Sequence, residues 1–410
     1  MQLRTRNPSG QRRRIVVRTS RALRLLVACV GVSGLFLVGG SGPAWALDVY
    51  GIKVTPSLSY AGEYDDNVFR TPSDRRSDYV NTISPAILLE AAPGKHEIKA
   101  GYKLDILRYS THSNLDTERH AALLSALLNF NRLQVRFREE FRRTDDFPTS
   151  ELTTRIKRNE NFLLGGFDYD VVQLWGVGFD LTWGNINYLD SPSGDFNFLD
   201  RNSHTYAATV YHRITAKTRL FAEYDYVREI FDSDQSRDNS RHRTLLGVRG
   251  DLTTRFSLTA KGGYERLDFH SDTREAQNNF VISAEASYKP VERLQVALLV
   301  KRSVESSTFA DNAQFESFNA TLGITYAVTP KILIVPRGFF GIDNFRESTL
   351  NIDRIEKRLD HLYGGGIGIR YDLQRWIRLD ASYDYQARSS NFNAFDYDDN
   401  RLSFSVAFSL

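Results

Sequence analysis

The sequence runs to 410 residues, with 53 Lys+Arg against 50 Asp+Glu, a single cysteine, and 46 residues that are Tyr or Phe. Setting aside residues 1–46, which read as a leader, removes eight arginines and the cysteine and leaves 45 Lys+Arg against 50 Asp+Glu. That acidic remainder excludes a basic nucleic-acid-binding protein, a disulfide scaffold and a thiolate metal site, and its lack of a long apolar run excludes a membrane-spanning helix.

In chain order, the first feature is a basic segment holding Arg4, Arg6, Arg12, Arg13, Arg14, Arg18, Arg21 and Arg24, with no acidic residue. An apolar run from Leu25 to Val38 follows, and then Gly39, Gly40, Pro43 and Ala44-Trp45-Ala46. Basic head, short apolar core and small-x-small exit are the parts of a secretory signal peptide, with cleavage expected at the Ala44/Ala46 box. The apolar core is 14 residues, short of the roughly 20 that a spanning helix needs. Leu26-Val27-Ala28-Cys29 looks like a lipoprotein box, but it would leave almost no apolar core before the cysteine. The chain therefore divides into a signal peptide at 1–46 and one domain at 47–410, exported from a Gram-negative cytoplasm to the cell outer membrane.

From residue 47 onward the pattern has period two. Trp175, Val177, Phe179, Leu181 and Trp183 alternate with Gly176, Gly178, Asp180, Thr182 and Gly184. The same alternation runs through Leu220–Tyr226, Phe256–Tyr264, Phe280–Tyr288, Phe318–Tyr326, Ile377–Tyr385 and Leu402–Leu410. Strands turn alternate side chains to opposite faces, so each run has one apolar and one polar face. Runs of about 9–11 residues suit a tilted membrane strand, whereas soluble strands more often stop at about 5–6. Tyr and Trp close many apolar faces, as expected where a barrel wall meets lipid headgroups.

Short turns such as 129–131, 215–217, 252–254, 289–292, 329–330 and 372–374 alternate with longer polar segments at 64–77, 110–116, 144–155, 190–202, 233–240, 271–277, 306–314, 344–357 and 389–398. Nine long and eight short connections give about 18 strands with both termini on the short-turn side. The fold expected is all-β: a transmembrane antiparallel up-and-down barrel with short periplasmic turns and external loops. A cation recurs just before the first wall residue, in Thr218-Arg219-Leu220, Thr254-Arg255-Phe256, Glu292-Arg293-Leu294 and Arg375-Trp376-Ile377, where it stays in water as its neighbour enters lipid. The spacing of these units also suits propeller blades, but four short strands per blade do not fit such long runs. None of the long segments looks long enough to fold inward as a large plug.

Tyr64-Asp65-Asp66-Asn67-Val68-Phe69-Arg70, followed by Ile83-Ser84-Pro85-Ala86-Ile87-Leu88-Leu89, carries a resemblance. A Tyr-x-Asp-Asn-aliphatic-aromatic-Arg loop before a Ser-Pro-x-aliphatic strand resembles the type 2 outer-membrane β-barrel porin family associated with exopolysaccharide gene clusters, with Tyr64, Asp66, Asn67, Phe69 and Arg70 as the matching loop positions. The match is specific over 51–110. Beyond that it rests on the hairpin rhythm. The resemblance implies a channel component for exopolysaccharide export or biosynthesis, in outer-membrane lipid, inserted by the barrel-assembly machinery, with a periplasmic polysaccharide-export protein and polysaccharide as partners. The chain departs from the usual barrel ending, an aromatic last residue, in closing on Leu410 with Phe408 two before it.

The polar faces supply Arg136, Arg138, Glu140, Glu223, Asp225, Arg249, Lys261, Glu265, Arg370, Arg378, Asp380 and Asp384 as candidate lumen-facing residues. Their mixed sign suits neutral or zwitterionic cargo, or cross-strand ion pairs that stiffen the wall. No continuous aromatic lane appears on the inward positions. Asp65, Asp66 and Asn67 read as a solvated turn or as a calcium loop lacking the positions and glycine of an EF-hand. The eight histidines show no metal-ligand spacing, and no G-x-S-x-G elbow is present, so neither an enzyme nor a metal or other cofactor is expected. Besides polymer export, two functions stay open: a general diffusion porin for small solutes, and a surface structural or adhesion barrel.

Overall fold

The computed structural model describes residues 47–151, 154–189, 196–271, 274–309, 312–351 and 354–409. The segment expected to be a leader, with Ala44 and Ala46, lies outside them, as does Leu410. Nineteen strands follow one another: β1 (Leu47–Val49), β2 (Ile52–Asp65), β3 (Asp78–Ala91), β4 (Glu97–Tyr109), β5 (Thr117–Asn129), β6 (Leu133–Thr144), β7 (Arg158–Asp170), β8 (Trp175–Tyr188), β9 (Arg201–Arg213) and β10 (Thr218–Phe231). The series continues with β11 (Asn239–Asp251), β12 (Phe256–Phe269), β13 (Gln277–Val291), β14 (Leu294–Ser306), β15 (Gln314–Thr329), β16 (Ile332–Asn351), β17 (Arg354–Gln374), β18 (Ile377–Ser390) and β19 (Tyr397–Ser409).

Strands β2 to β19 pair antiparallel with their sequence neighbours, and β19 returns to β2 in the register Arg401↔Asp65 to Ser409↔Ser57. The 18-stranded ring is thereby closed, and its backbone N–H and C=O groups are met within the sheet, as a lipid environment requires. The short β1 folds back on β2 through Tyr50 and Gly51, both in the left-handed region. Eight long and eight short connections alternate as the rhythm of the sequence predicts, and the ninth connection expected to be long, between β16 and β17, is instead taken up by the strands themselves.

Two details differ from expectation. Segment 344–357 is largely not a loop: β16 and β17, of 20 and 21 residues, extend past their neighbours as a hairpin, with a register irregularity between Asn344 and Ser348. The other barrel strands run to 12–16 residues, beyond the bare spanning length, because they project into the headgroup and loop layers.

The apolar faces point away from the ring. Leu246 is 69 % exposed, Leu402 60 % and Phe280 57 %. Large apolar side chains bared all around a ring are stable only against lipid. Near the long-connection end, outward Tyr hydroxyls bond to a polar partner on the next strand: Tyr102 to His120 and Tyr224 to His242 at 2.7 Å, and Tyr383 to Asn400 at 2.7 Å. An apolar ring with a satisfied polar tip is what the membrane boundary selects.

Candidate functional site

The face enclosed by the ring is laced with ion pairs, several joining strands that are not adjacent. Arg136 on β6 reaches Asp168 on β7 at 3.0 Å and Asp180 on β8 at 2.8 Å. Lys261 on β12 meets Glu223 on β10, and Arg337 on β16 meets Asp384 on β18. Side chains two strands apart meet only where the sheet is concave. Gly166 and Gly366 make room, since a Cβ at either would collide with the Asp180 or Asp384 carboxylate.

Of the twelve candidate residues, the structure joins Glu223 with Lys261, Arg370 with Asp380 (2.9 Å) and Arg138 with Glu140. Glu265, fully buried, instead accepts from Arg243 (2.5 Å). Arg378 pairs with Asp372 at 3.1 Å, and Arg249 lies 5.3 Å from the centre of the Phe221 ring. Asp225 is buried without an ion pair among the described residues.

The loop positions Asp66, Asn67, Phe69 and Arg70 form a knot at the β2–β19 seam. Asn67 is fully buried: its Nδ2 donates to the carbonyls of Thr71 and Asp398 (both 2.9 Å), and its Oδ1 accepts from Thr71 N. Asp66 accepts from Asn400 N and Nδ2, each at 2.7 Å. Val68 packs with Val80, Leu107 and Tyr109, and Phe69 meets His112 edge-on. This corrects the solvated-turn reading: the motif is buried and spends its amide on its own backbone. The carboxylates of Asp65, Asp66 and Asp399 lie within 4.8 Å of one another, but Arg70 and Arg401 stand against Asp399 and supply the compensating charge. Tyr64 stays exposed on the outer face.

A different segment dominates the mouth. The β6–β7 connection, 145–157, leaves a root clamped by ions. Arg119 meets Asp145 at 2.5 Å, while Arg158, 2 % exposed, holds Asp146 (2.8 Å) and Glu160 (2.7 Å). Its returning arm buries Ile156 with Tyr188 at the end of β8 and Leu199 from the β8–β9 connection. Its tip docks nearly half the ring away. Glu151, fully buried, accepts from Ser307 Oγ (2.5 Å), Thr308 N (2.6 Å) and Thr308 Oγ1 (2.8 Å) in the β14–β15 connection. Arg358 of β17 (3.3 Å) and Arg388 of β18 (3.0 Å) donate to the Glu151 carbonyl, and Ser150 Oγ donates to Asp343 of β16.

A long connection thus crosses the outer mouth, contrary to expectation. Six residues out and six back reach roughly 20 Å each way, so no plug-sized insertion is needed. Burial pushes the Glu151 carboxyl above its ordinary range, its hydrogen bonds and Arg358 only partly compensating. Burial acts the same way on Asp146, but Arg158 and Arg119 outweigh it and hold that carboxyl below its ordinary range.

Above this crossing, cations and rings alternate. Arg358 sits 3.6 Å from the Phe395 ring centre, and Arg388 lies between Phe395 (5.7 Å) and Tyr397 (5.0 Å). Arg70 follows, near Tyr397 (5.3 Å) and Phe147 (3.7 Å), with Arg155 also over the Phe147 ring at 4.6 Å. Burial, with Arg401 and Arg155 nearby, lowers Arg70 to about 10, so it remains a cation at neutral pH. Arg155, Glu151 and Phe147 were not singled out in the sequence, because nothing in a polar loop's pattern marks where its tip will land.

A closed 18-stranded barrel with an apolar belt and a charged interior is an outer-membrane channel of the porin kind. The chain belongs to the family described as "Putative beta-barrel porin 2", which matches residues 51–410. Among solved structures it is similar to the outer membrane protein OpdK of Pseudomonas aeruginosa (11 % identity, TM-score 0.48, covering 87 % of this chain and 99 % of that one). It is likewise similar to OpdQ of the same organism (13 %, 0.48, 88 % and 100 %) and to a BenF-like porin of Pseudomonas fluorescens Pf-5 (12 %, 0.48, 87 % and 99 %). No curated protein matches the sequence.

Proposed function

We propose that this barrel is a diffusion channel for small solutes, narrowed at its outer mouth by the 145–157 connection. The observation that carries the reading is the docking of Ser150 and Glu151 on the opposite wall. A polymer must thread the mouth continuously, so every step of its export would require that crossing to stand aside. Small solutes need only pass beside it. The polymer-export role that the resemblance implied, with its periplasmic partner, finds no supporting feature in this mouth.

Planar bilayers test the reading. Purified protein should give stable conductance steps with no partner added, and Glu151→Ala should enlarge them by loosening the crossing. Silence from both proteins, together with loss of surface polysaccharide in a deletion strain, would overturn the diffusion reading in favour of export.

A further inference from the structure

We infer that two copies of this chain meet in the membrane through the outer face of β4–β7, with Glu139 at the centre of the contact. Such a contact goes beyond the solute reading and is independent of what passes through the barrel. Three observations carry it.

The first is a carboxylate on the lipid side of the wall. Along β6, Arg136, Arg138, Glu140 and Arg142 turn inward to their ion pairs, while Phe137 and Phe141 are exposed on the outside. Glu139 alternates with those two rings on the outer face, midway along the strand, in register with exposed Leu124 and with Leu163. Among the described residues it makes no hydrogen bond and no ion pair. Glu118 and Asp268 also face outward, but at the long-connection ends of β5 and β12, where Arg108 (3.3 Å) and Arg266 (3.0 Å) hold them. Charge on the lipid face of a barrel is tolerated least near mid-depth, so hydrocarbon is a poor neighbour for Glu139.

The second is shape. Phe141 stands beside Ala122, Phe137 stands between Ala126 and Gly165, and Ala100 flanks Leu124. A Cβ at Gly165 would meet nothing within 4 Å, so the face is hollow there. Rings that alternate with hollows make a surface complementary to itself, as a two-fold contact requires. Lipid tails are as apolar as Leu, so packing and polar pairing, not burial of apolar area, must hold two copies together.

The third is complementary charge. Arg143 is exposed on the same face of β6 and, among the described residues, has no carboxylate partner. Four residues of strand, about 13 Å, separate it from Glu139 within one copy. Barrel strands tilt by about 35–45°, so the two β6 strands cross at a two-fold contact and Arg143 of each copy leans over Glu139 of the other. A second copy thus supplies the missing cation and the missing carboxylate together.

Cross-linking in native outer-membrane vesicles tests this, in a Cys29→Ser background that leaves the chain without cysteine. With a short bis-maleimide, Leu124→Cys should give a dimer, while Leu246→Cys and Leu402→Cys, exposed on other sectors of the wall, should stay monomeric. Glu139→Arg and Arg143→Glu should each lower the Leu124→Cys dimer at least tenfold, and the two together should restore most of it. Ala122→Trp should abolish the dimer by filling the hollow, although it is harmless to a face that meets only lipid. Heat-shifted gel migration checks that each variant is folded. No dimer from Leu124→Cys, equal yields from all three cysteines, or a dimer indifferent to Ala122→Trp would overturn the proposal. Cross-linking of Leu124→Cys to a different protein in place of itself would overturn it as well.

Discussion

The membrane wall and the outer mouth are built on opposite principles. In the wall, apolar side chains face outward and many polar side chains are cross-paired on the concave face, all resting on a closed backbone ladder. In the mouth, fully buried Glu151 and the nearly buried Arg158, Arg388 and Arg237 hold irregular backbone through a few buried polar contacts, helped by apolar clusters of only a few residues. Losing one wall contact is absorbed by neighbours, whereas losing one mouth contact strands a buried charge. The wall should therefore be tolerant and the mouth brittle.

Arg158→Ala should break this contrast most sharply. It leaves Asp146 and Glu160 without their shared cation, and removing one partner of a buried ion pair costs about 3–5 kcal/mol. Limited proteolysis should then cut within 145–157 while the barrel keeps its heat-shifted migration. Leu246→Arg tests the wall at a strongly exposed apolar position, midway along β11. A cation facing lipid there should cost about 2–4 kcal/mol in reversible folding into vesicles, without opening the mouth.

Glu151→Ala should cost about 1–3 kcal/mol, because it strands the Ser307 hydroxyl and the Thr308 N–H, with the readout again a larger conductance step. The docking also depends on pH. Because the folded-state carboxyl of Glu151 titrates above its ordinary value near 4.5, the folded state binds the extra proton. Its contribution is fully present below about 4.5 and is lost as pH rises through the raised value. Asp146 has the opposite sign, its contribution failing only as pH falls below its ordinary value near 3.8. Conductance should therefore grow as pH rises from about 4.5 through the raised value, and Glu151→Gln should flatten that rise. An unflattened rise would transfer the effect to Asp343, which receives the Ser150 hydroxyl. At the small end, Arg370→Met should cost under about 1 kcal/mol in folding, since Asp380 is about a third exposed on the concave face.

Reading the chain residue by residue yields the wall almost entirely. Alternation such as Trp175 to Trp183 fixes which face meets lipid, and the rhythm of long and short connections yields the ring of 18. It also places Glu223 and Lys261 on one face, though not opposite one another. The β16–β17 hairpin escaped because Arg346, Glu347 and Lys357 read as loop, when extended backbone beyond the lipid tolerates charge on both faces. The Asp66–Asn67 motif was visible, but its burial was not, since a turn rich in Asp and Asn looks the same whether water or backbone satisfies it.

Strand number, outward faces and the acidic, cysteine-free character of the domain were thus determined by the sequence alone, because period-two alternation is a local property that each strand carries without its neighbours. Where the 145–157 connection goes was decided only by the tertiary structure. Glu151 finds Ser307, Thr308, Arg358 and Arg388 at separations of 156 to 237 residues, through polar contacts that leave no periodic trace. The same holds for the stack of Arg155, Phe147 and Arg70, whose members come from two connections and become neighbours only when the ring closes.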